Sequence, residues 1–183
     1  HAAQFSITNY AFRAVDQIAV AVDTRGLRNP NVNAVTRNAA GRVTGFLSEF
    51  NLVNLIGQMT FATAKADYPV AGIVDYVKNT RAAADDDTGI WVSVTAGRAA
   101  RPKTFSATYT FARIERDSVI GTFNFSDMTP SSNVRMNVIG FSYVPRAHVN
   151  LDFTGIFTKP ILPDPGLPPE LLNRLIFDAR VSF

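Results

Sequence analysis

The chain has 183 residues, of which 46% are hydrophobic and 18% charged, with a formal net charge of +3 and no cysteine. That length suits one ordinary domain, and this much apolar content excludes a disordered chain. The missing cysteines exclude a disulfide scaffold and thiolate metal or redox chemistry, and the scattered Arg and Lys form no basic stripe of the kind nucleic acid needs.

Strand-like segments follow one another along the chain. They run over Gln4–Phe12, Gln17–Arg25, Val53–Ala64, Pro69–Lys78, Ile90–Ala99, Thr104–Arg116, Val134–Val144, His148–Lys159 and Leu172–Phe183. All are rich in Val, Ile, Phe, Thr and Tyr, the residues that fit a pleated surface. Several alternate strictly. Phe105, Ala107, Tyr109 and Phe111 oppose Ser106, Thr108 and Thr110; Val149, Leu151, Phe153 and Phe157 oppose Asn150, Asp152 and Thr154. The last strand ends RLIFDARVSF, with Phe177, Ala179, Val181 and Phe183 on one face and Asp178 and Arg180 on the other. Period two marks strands with unlike faces. Helical spacing is confined to PPELLN, where the prolines can start one turn. No apolar run reaches the roughly 18 residues of a transmembrane helix. HAAQF lacks the form of a signal peptide, so either a leader has been removed or the chain begins inside a longer protein.

The connections sort by length. RAVD, AKADY, RAARPK and VPRA are short; Gly26–Asn51, ERDSVIGTFNFSDMTPSSN and KPILPDPGLPPE are long, TRAAADDDTG is intermediate, and the two kinds alternate along the chain. A transmembrane barrel has this asymmetry, with short periplasmic turns and longer outer loops. A soluble β-sandwich has no reason to sort loops by parity. The expected fold is therefore all-β, an antiparallel transmembrane β-barrel. About nine strands is an odd count, whereas single-chain bacterial barrels have an even one. The odd count is read in one of two ways: 1–183 is a barrel segment incomplete at the N-terminus, the C-terminal part of a barrel of roughly sixteen strands, or the first segment is a plug or a misread strand, which leaves an eight-stranded barrel filled by its own side chains.

Three stretches carry a family resemblance: FNLVNLIGQMTF, VDYVKNTRAAADDDTGIWVSVTAGRAARP and FSATYTFARIERDSVIGTFNFSD. Together they resemble the C-terminal half of a porin family of Gram-negative outer membranes, through Asp75–Asn79, Asp85–Asp87, Thr88–Val92 and Thr110–Asp127. The resemblance covers about residues 45 to 183. It implies a bacterial outer-membrane barrel with a polar lumen. It also implies that Phe177, Ala179, Val181 and Phe183 form the C-terminal signal read by barrel-assembly machinery. Two features depart from the family pattern: Val181 stands where the family has an aromatic, and KPILPDPGLPPELLN is unusually proline-rich.

Candidate chemistry follows from the polar faces. Asp75, Asp152, Arg174, Asp178 and Arg180 lie opposite the apolar face. In lipid, a basic group at the midplane costs about 2–4 kcal/mol, and in a wet lumen it costs little. Opposed charges there either select ions or merely pair along the wall. Asp85, Asp86 and Asp87 are weak candidates for a divalent cation, because they lack the spaced oxygen ligands of a calcium loop, and a solvated loop is the plainer reading. Ser142 and His148 are the only pairing that could serve a hydrolase, and turn residues explain them better. No enzyme fingerprint is present, so neither enzyme activity nor a cofactor is expected. Tyr10, Phe12, Tyr68 and Tyr143 are expected as periplasmic girdle aromatics, with Trp91, Tyr76 and Phe157 nearer the outside.

The expected function is passive diffusion of small hydrophilic solutes or ions. Expected partners are outer-membrane lipid and lipopolysaccharide, the assembly machinery, and a second copy or a partner protein, with no nucleic acid. A structural barrel with a plugged or partner-filled lumen is the alternative, and a soluble β-sandwich binding module is a third reading.

Overall fold

A computed structural model describes residues 1–24, 33–124, 131–163 and 172–182. Ten strands and one α-helix appear in the order β1 (Ala2–Ala11), α1 (Val15–Thr24), β2 (Val35–Arg37), β3 (Val43–Phe46), β4 (Asn51–Phe61), β5 (Val70–Asn79), β6 (Thr88–Gly97), β7 (Thr104–Ile114), β8 (Val134–Arg146), β9 (Val149–Pro160) and β10 (Leu172–Val181). Eight of the strands form one antiparallel sheet in the order β1-β4-β5-β6-β7-β8-β9-β10, and β2 and β3 form a separate hairpin. The all-β, antiparallel expectation therefore holds. The sheet is open, however: β1 and β10 are its two edges, and no pairing joins them among the described residues.

The strand count differs from the sequence reading at the N-terminal end. Gln17–Arg25 is expected as a strand, yet Val15–Thr24 is helical. Its sequence satisfies both periods, since Ile18, Val20 and Val22 alternate while Val15, Ala19 and Val22 share one helical face. Tertiary contact decides between them: Val15 and Ala19 pack with Val43, Phe46 and Phe50. The N-terminal end of α1 is tied to the hairpin, because the Phe46 N–H donates to Asp16 Oδ1 at 3.0 Å. Gly45 allows that approach; a Cβ there would run into the Asp16 carboxylate.

With α1 removed from the sheet, β1 pairs directly with β4, from Ala2↔Thr60 to Ala11↔Asn51. The whole stretch 12–50 is then one insertion at one end of the sheet, and RAVD lies at that end rather than opposite it. Segments 12–50, 80–87, 115–133 and 161–171 share this long-loop end; 62–69, 98–103 and 147–148 share the short-turn end. The sorting by length is clear except that 62–69 and 80–87 are equally long. Tight backbone serves the short turns. His148 has φ 64°, and Gly97 has φ 86° at a place where a Cβ would strike the Phe105 carbonyl oxygen. The expected PPELLN helical turn lies largely outside the described residues.

The two faces of the sheet are unlike, and their placement is inverted relative to a water-soluble sheet. Register puts Phe5, Met59, Val74, Val94, Phe105, Tyr109, Ile139, Phe141, Phe153, Leu175 and Phe177 on one face. All are exposed, and Leu175 and Phe177 are each 68% exposed. The opposite face carries the strand carboxylates, most of the strand hydroxyls and the packed residues. At its long-loop end Leu52 and Val77 join α1, the hairpin and Ile120 in one apolar cluster. Ala112, Ile114, Val134, Met136 and Ile156 form a second cluster against Val119. Among the described residues, α1, the β2–β3 hairpin and Val119–Ile120 thus fold over the polar face, and the apolar face is left bare.

Candidate functional site

The polar face has two zones. Under the long-loop cap, a pocket of about 300 Å³ is lined by Tyr10, Asn54, Asp75, Trp91, Val119 and Asn124, among others. Asp75 stands directly across from Trp91 on the neighbouring strand, and its carboxylate accepts a hydrogen bond from the Asn54 amide. Toward the short turns the face becomes a hydroxyl ladder. Thr95 and Thr108 pair at 2.9 Å, and Thr110 donates to Ser93 at 2.9 Å. Hydroxyls at these positions satisfy one another across strands and still offer lone pairs to water.

Below the ladder lies a charged group. Asp152 receives hydrogen bonds from Ser142 Oγ at 2.5 Å, Asn150 Nδ2 at 2.7 Å and Arg180 Nη2 at 2.7 Å. Asp178 lies directly opposite Asp152 on β10, and Arg174 occupies the same face two positions along from Ile176. All five expected lumen charges therefore lie on the polar face. The structure brings Asp152, Asp178 and Arg180 together; Asp75 stands four strands away, and Arg174 has no charged partner among the described residues. The Arg180 side chain is 74% exposed, so its ion pair adds little stability and leaves the guanidinium open to solutes.

The three consecutive aspartates do not converge on one point. Asp87 pairs with Lys78 at 2.7 Å, and Asp86 lies 3.9 Å from Arg116, while Asp85 is exposed. No cluster of three or more potential metal ligands forms among the described residues. Ser142 and His148 are likewise separate: Ser142 serves Asp152, and His148 in the β8–β9 turn contacts Ser182. Of the expected girdle residues, Tyr68 and Tyr143 lie at the short-turn end, and Tyr76 and Phe157 lie on the apolar face toward the long loops. Tyr10 and Phe12 are corrections. Both stand at the long-loop end, because β1 runs toward the cap; Phe12 stacks on Phe123 there. Trp91 is also corrected, to the polar face. The aromatic row at the short-turn end instead contains Tyr68, Phe105 and Phe141, with ring centroids 5.0 and 6.0 Å apart. Phe177, Ala179 and Val181 share the apolar face, and Phe183 lies outside the described residues.

One feature had no signal in the sequence: a buried polar knot that fastens the cap. Asp117, 1% exposed, accepts from Ser48 Oγ at 2.5 Å, Asn33 Nδ2 at 3.2 Å and the Ala34 N–H at 3.1 Å. Asn79, equally buried, donates to the Asp117 and Glu49 carbonyls, both at 2.9 Å. Its own amide oxygen accepts from the Asn51 and Arg81 N–H groups. Nearby, burial and the Asp117 charge push the Asp86 carboxyl above its ordinary range. Burial also pushes Glu115 up, but hydrogen bonds from the Thr88 hydroxyl and N–H, with Arg113, outweigh it and hold the carboxyl low. No local pattern marks these residues, because Asp117 meets partners from the 12–50 segment and from the end of β5, far from it in the chain.

No protein family, curated protein or solved structure matches the chain at a significant level.

Proposed function

We propose that this chain is part of the wall of an outer-membrane β-barrel pore that passes small hydrophilic solutes or ions passively. The observation that carries the reading is the inverted sheet. An aromatic and aliphatic face lies bare across eight strands, while hydroxyls and charges line the face toward which the loops fold. Soluble proteins rarely leave so large an apolar surface open, and lipid is the solvent that makes it favourable. In a closed barrel the hydroxyl ladder and the Asp152–Arg180 group would face the lumen, where fixed charge of both signs biases ion passage. Closure requires β1 and β10 to meet one another or further strands.

A second reading has its own observation. α1, the β2–β3 hairpin and the 115–124 segment pack on the long-loop end of the polar face through two apolar clusters. That cap would narrow or close the outer mouth of the lumen, which suits a structural barrel. Conductance in a planar bilayer separates the two. Steady ohmic steps support the open pore; silence from protein shown to be folded and inserted supports the capped barrel. Protein that stays water-soluble and never enters the bilayer would exclude both.

A further inference from the structure

The bare apolar face carries a basic row at one end. Arg113 on β7 is directly opposite Arg135 on β8, and Arg135 is directly opposite Lys159 on β9. Three like charges in line across adjacent strands repel one another, an arrangement that a sheet does not favour by itself. All three are exposed. No carboxylate occupies any strand position on this face. Lys78, the other strand cation at this end of the face, is neutralised by Asp87 at 2.7 Å. Glu115, just beyond the end of β7, reaches only Arg113 of these three bases. Arg135 and Lys159 have no carboxylate partner among the described residues; Arg135 lies over the Phe111 ring, 5.6 Å from its centroid.

Position gives the row its meaning. From Arg113 to Phe105 along β7, and across β8 and β9, the face is apolar or aromatic apart from Asn137, to which Tyr109 donates at 2.7 Å. The bases therefore sit at the long-loop rim of an apolar band whose other rim is the aromatic row of Tyr68, Phe105 and Phe141. A cation row at the edge of a lipid-contacting band lies at headgroup depth, where phosphate is the available counter-charge. Guanidinium groups bind phosphate oxygens in a fork, and a neighbouring ammonium adds a point charge.

We propose that Arg113, Arg135 and Lys159 form a docking site for a phosphorylated lipid headgroup in the leaflet on the long-loop side. The commitment is to lipid phosphate rather than free phosphate, because the apolar band directly below the row would hold the acyl chains. This inference rests on the membrane reading above.

The test uses the full chain refolded into phosphatidylcholine vesicles with or without a few per cent bis-phosphorylated lipid A, and with dephosphorylated lipid A as the control. Bound lipid is read by native mass spectrometry after gentle detergent extraction. Wild-type protein retains the phosphorylated lipid over the dephosphorylated one, and millimolar inorganic phosphate does not displace it. Each base near an anionic surface contributes roughly fivefold, so R113Q/R135Q/K159Q weakens retention by about a hundredfold. R113K/R135K keeps the charge and stays within about tenfold of wild type. R37Q/R42Q, on the exposed β2–β3 hairpin, changes nothing. Equal retention by the triple-glutamine variant, no preference for phosphate, or displacement by free phosphate would each overturn the site. Protease protection of the strands in the same vesicles is the separate readout. A chain that inserts normally without lipid preference sinks only this inference, whereas a chain that remains fully digestible sinks the membrane reading with it.

Discussion

The two ends of the polar face are built by different rules. The long-loop end resembles the interior of a water-soluble protein: Ala112 and Met136 are at most 1% exposed, and Asp117 and Asn79 are buried with their hydrogen bonds satisfied within the fold. The short-turn end has no apolar cover among the described residues; it carries hydroxyls and an ion pair with one partner mostly in solvent. One sheet therefore has a packed end and a more exposed polar one.

Breaking the packed end should give the largest effects. Replacing Asp117 with Ala leaves the Ser48 hydroxyl and the Asn33 and Ala34 N–H groups without their acceptor in a dry site, at a cost of about 3 kcal/mol. Hydrogen exchange should accelerate across residues 33–50 and 80–87 while β7–β9 stay protected; unchanged exchange would mean that the knot is not what holds the cap. If the cap narrows a pore, the same variant should conduct more. Met136→Ala should cost about 2–4 kcal/mol by opening a cavity under the cap. Phe141→Ala, on the bare face of the same strand, should lose about 1–2 kcal/mol of insertion into vesicles and leave aqueous stability nearly unchanged. Equal losses in water for both variants would remove the contrast between the faces.

Changes at the open end should be small in stability and large in selectivity. R174E/R180E should cost less than about 1 kcal/mol and shift the reversal potential toward cations. An unmoved reversal potential would exclude these residues from ion selection. The smallest effects are in pH dependence. Glu115 is held low in the fold, so its contribution is complete above the unfolded glutamate range and fades as pH falls through its lowered value. Asp86 is raised, so stability there falls as pH climbs from the ordinary aspartate range through the raised one. E115Q should flatten the acid limb and D86N the limb above it; a denaturation profile that neither variant alters would show that the two carboxyls are not linked to folding.

Strands were legible because alternation is a local property. Alternation predicts a strand over Thr104–Arg116 and Thr104–Ile114 is observed, and β4, β5, β6, β8, β9 and β10 agree similarly closely. The polar-face charges followed from the same alternation. What could not be read was whatever depends on distant partners. α1 satisfies two periods at once, and only contact with Phe46 and Phe50 selects the helix. β2 and β3 are too short to stand out from a loop. Asp117, Asn33, Ser48 and Asn79 look like ordinary loop residues until the fold assembles them. The basic row was equally hidden, because Arg113, Arg135 and Lys159 become neighbours only through register.

The pairing of β1 with β4 also has a kinetic consequence. Every other contact in the sheet joins strands that follow one another in the chain, and β8 reaches β9 through residues 147–148 alone. β1 must wait for the whole stretch 12–50 to be brought back to β4. Closing so long a loop costs about 2–3 kcal/mol more than closing a tight hairpin, because the entropy grows with the logarithm of length. The β4–β10 meander can therefore form without β1, and β1 should be the last strand to dock and the first to leave, with its arrival governed by the folding of α1 and the hairpin.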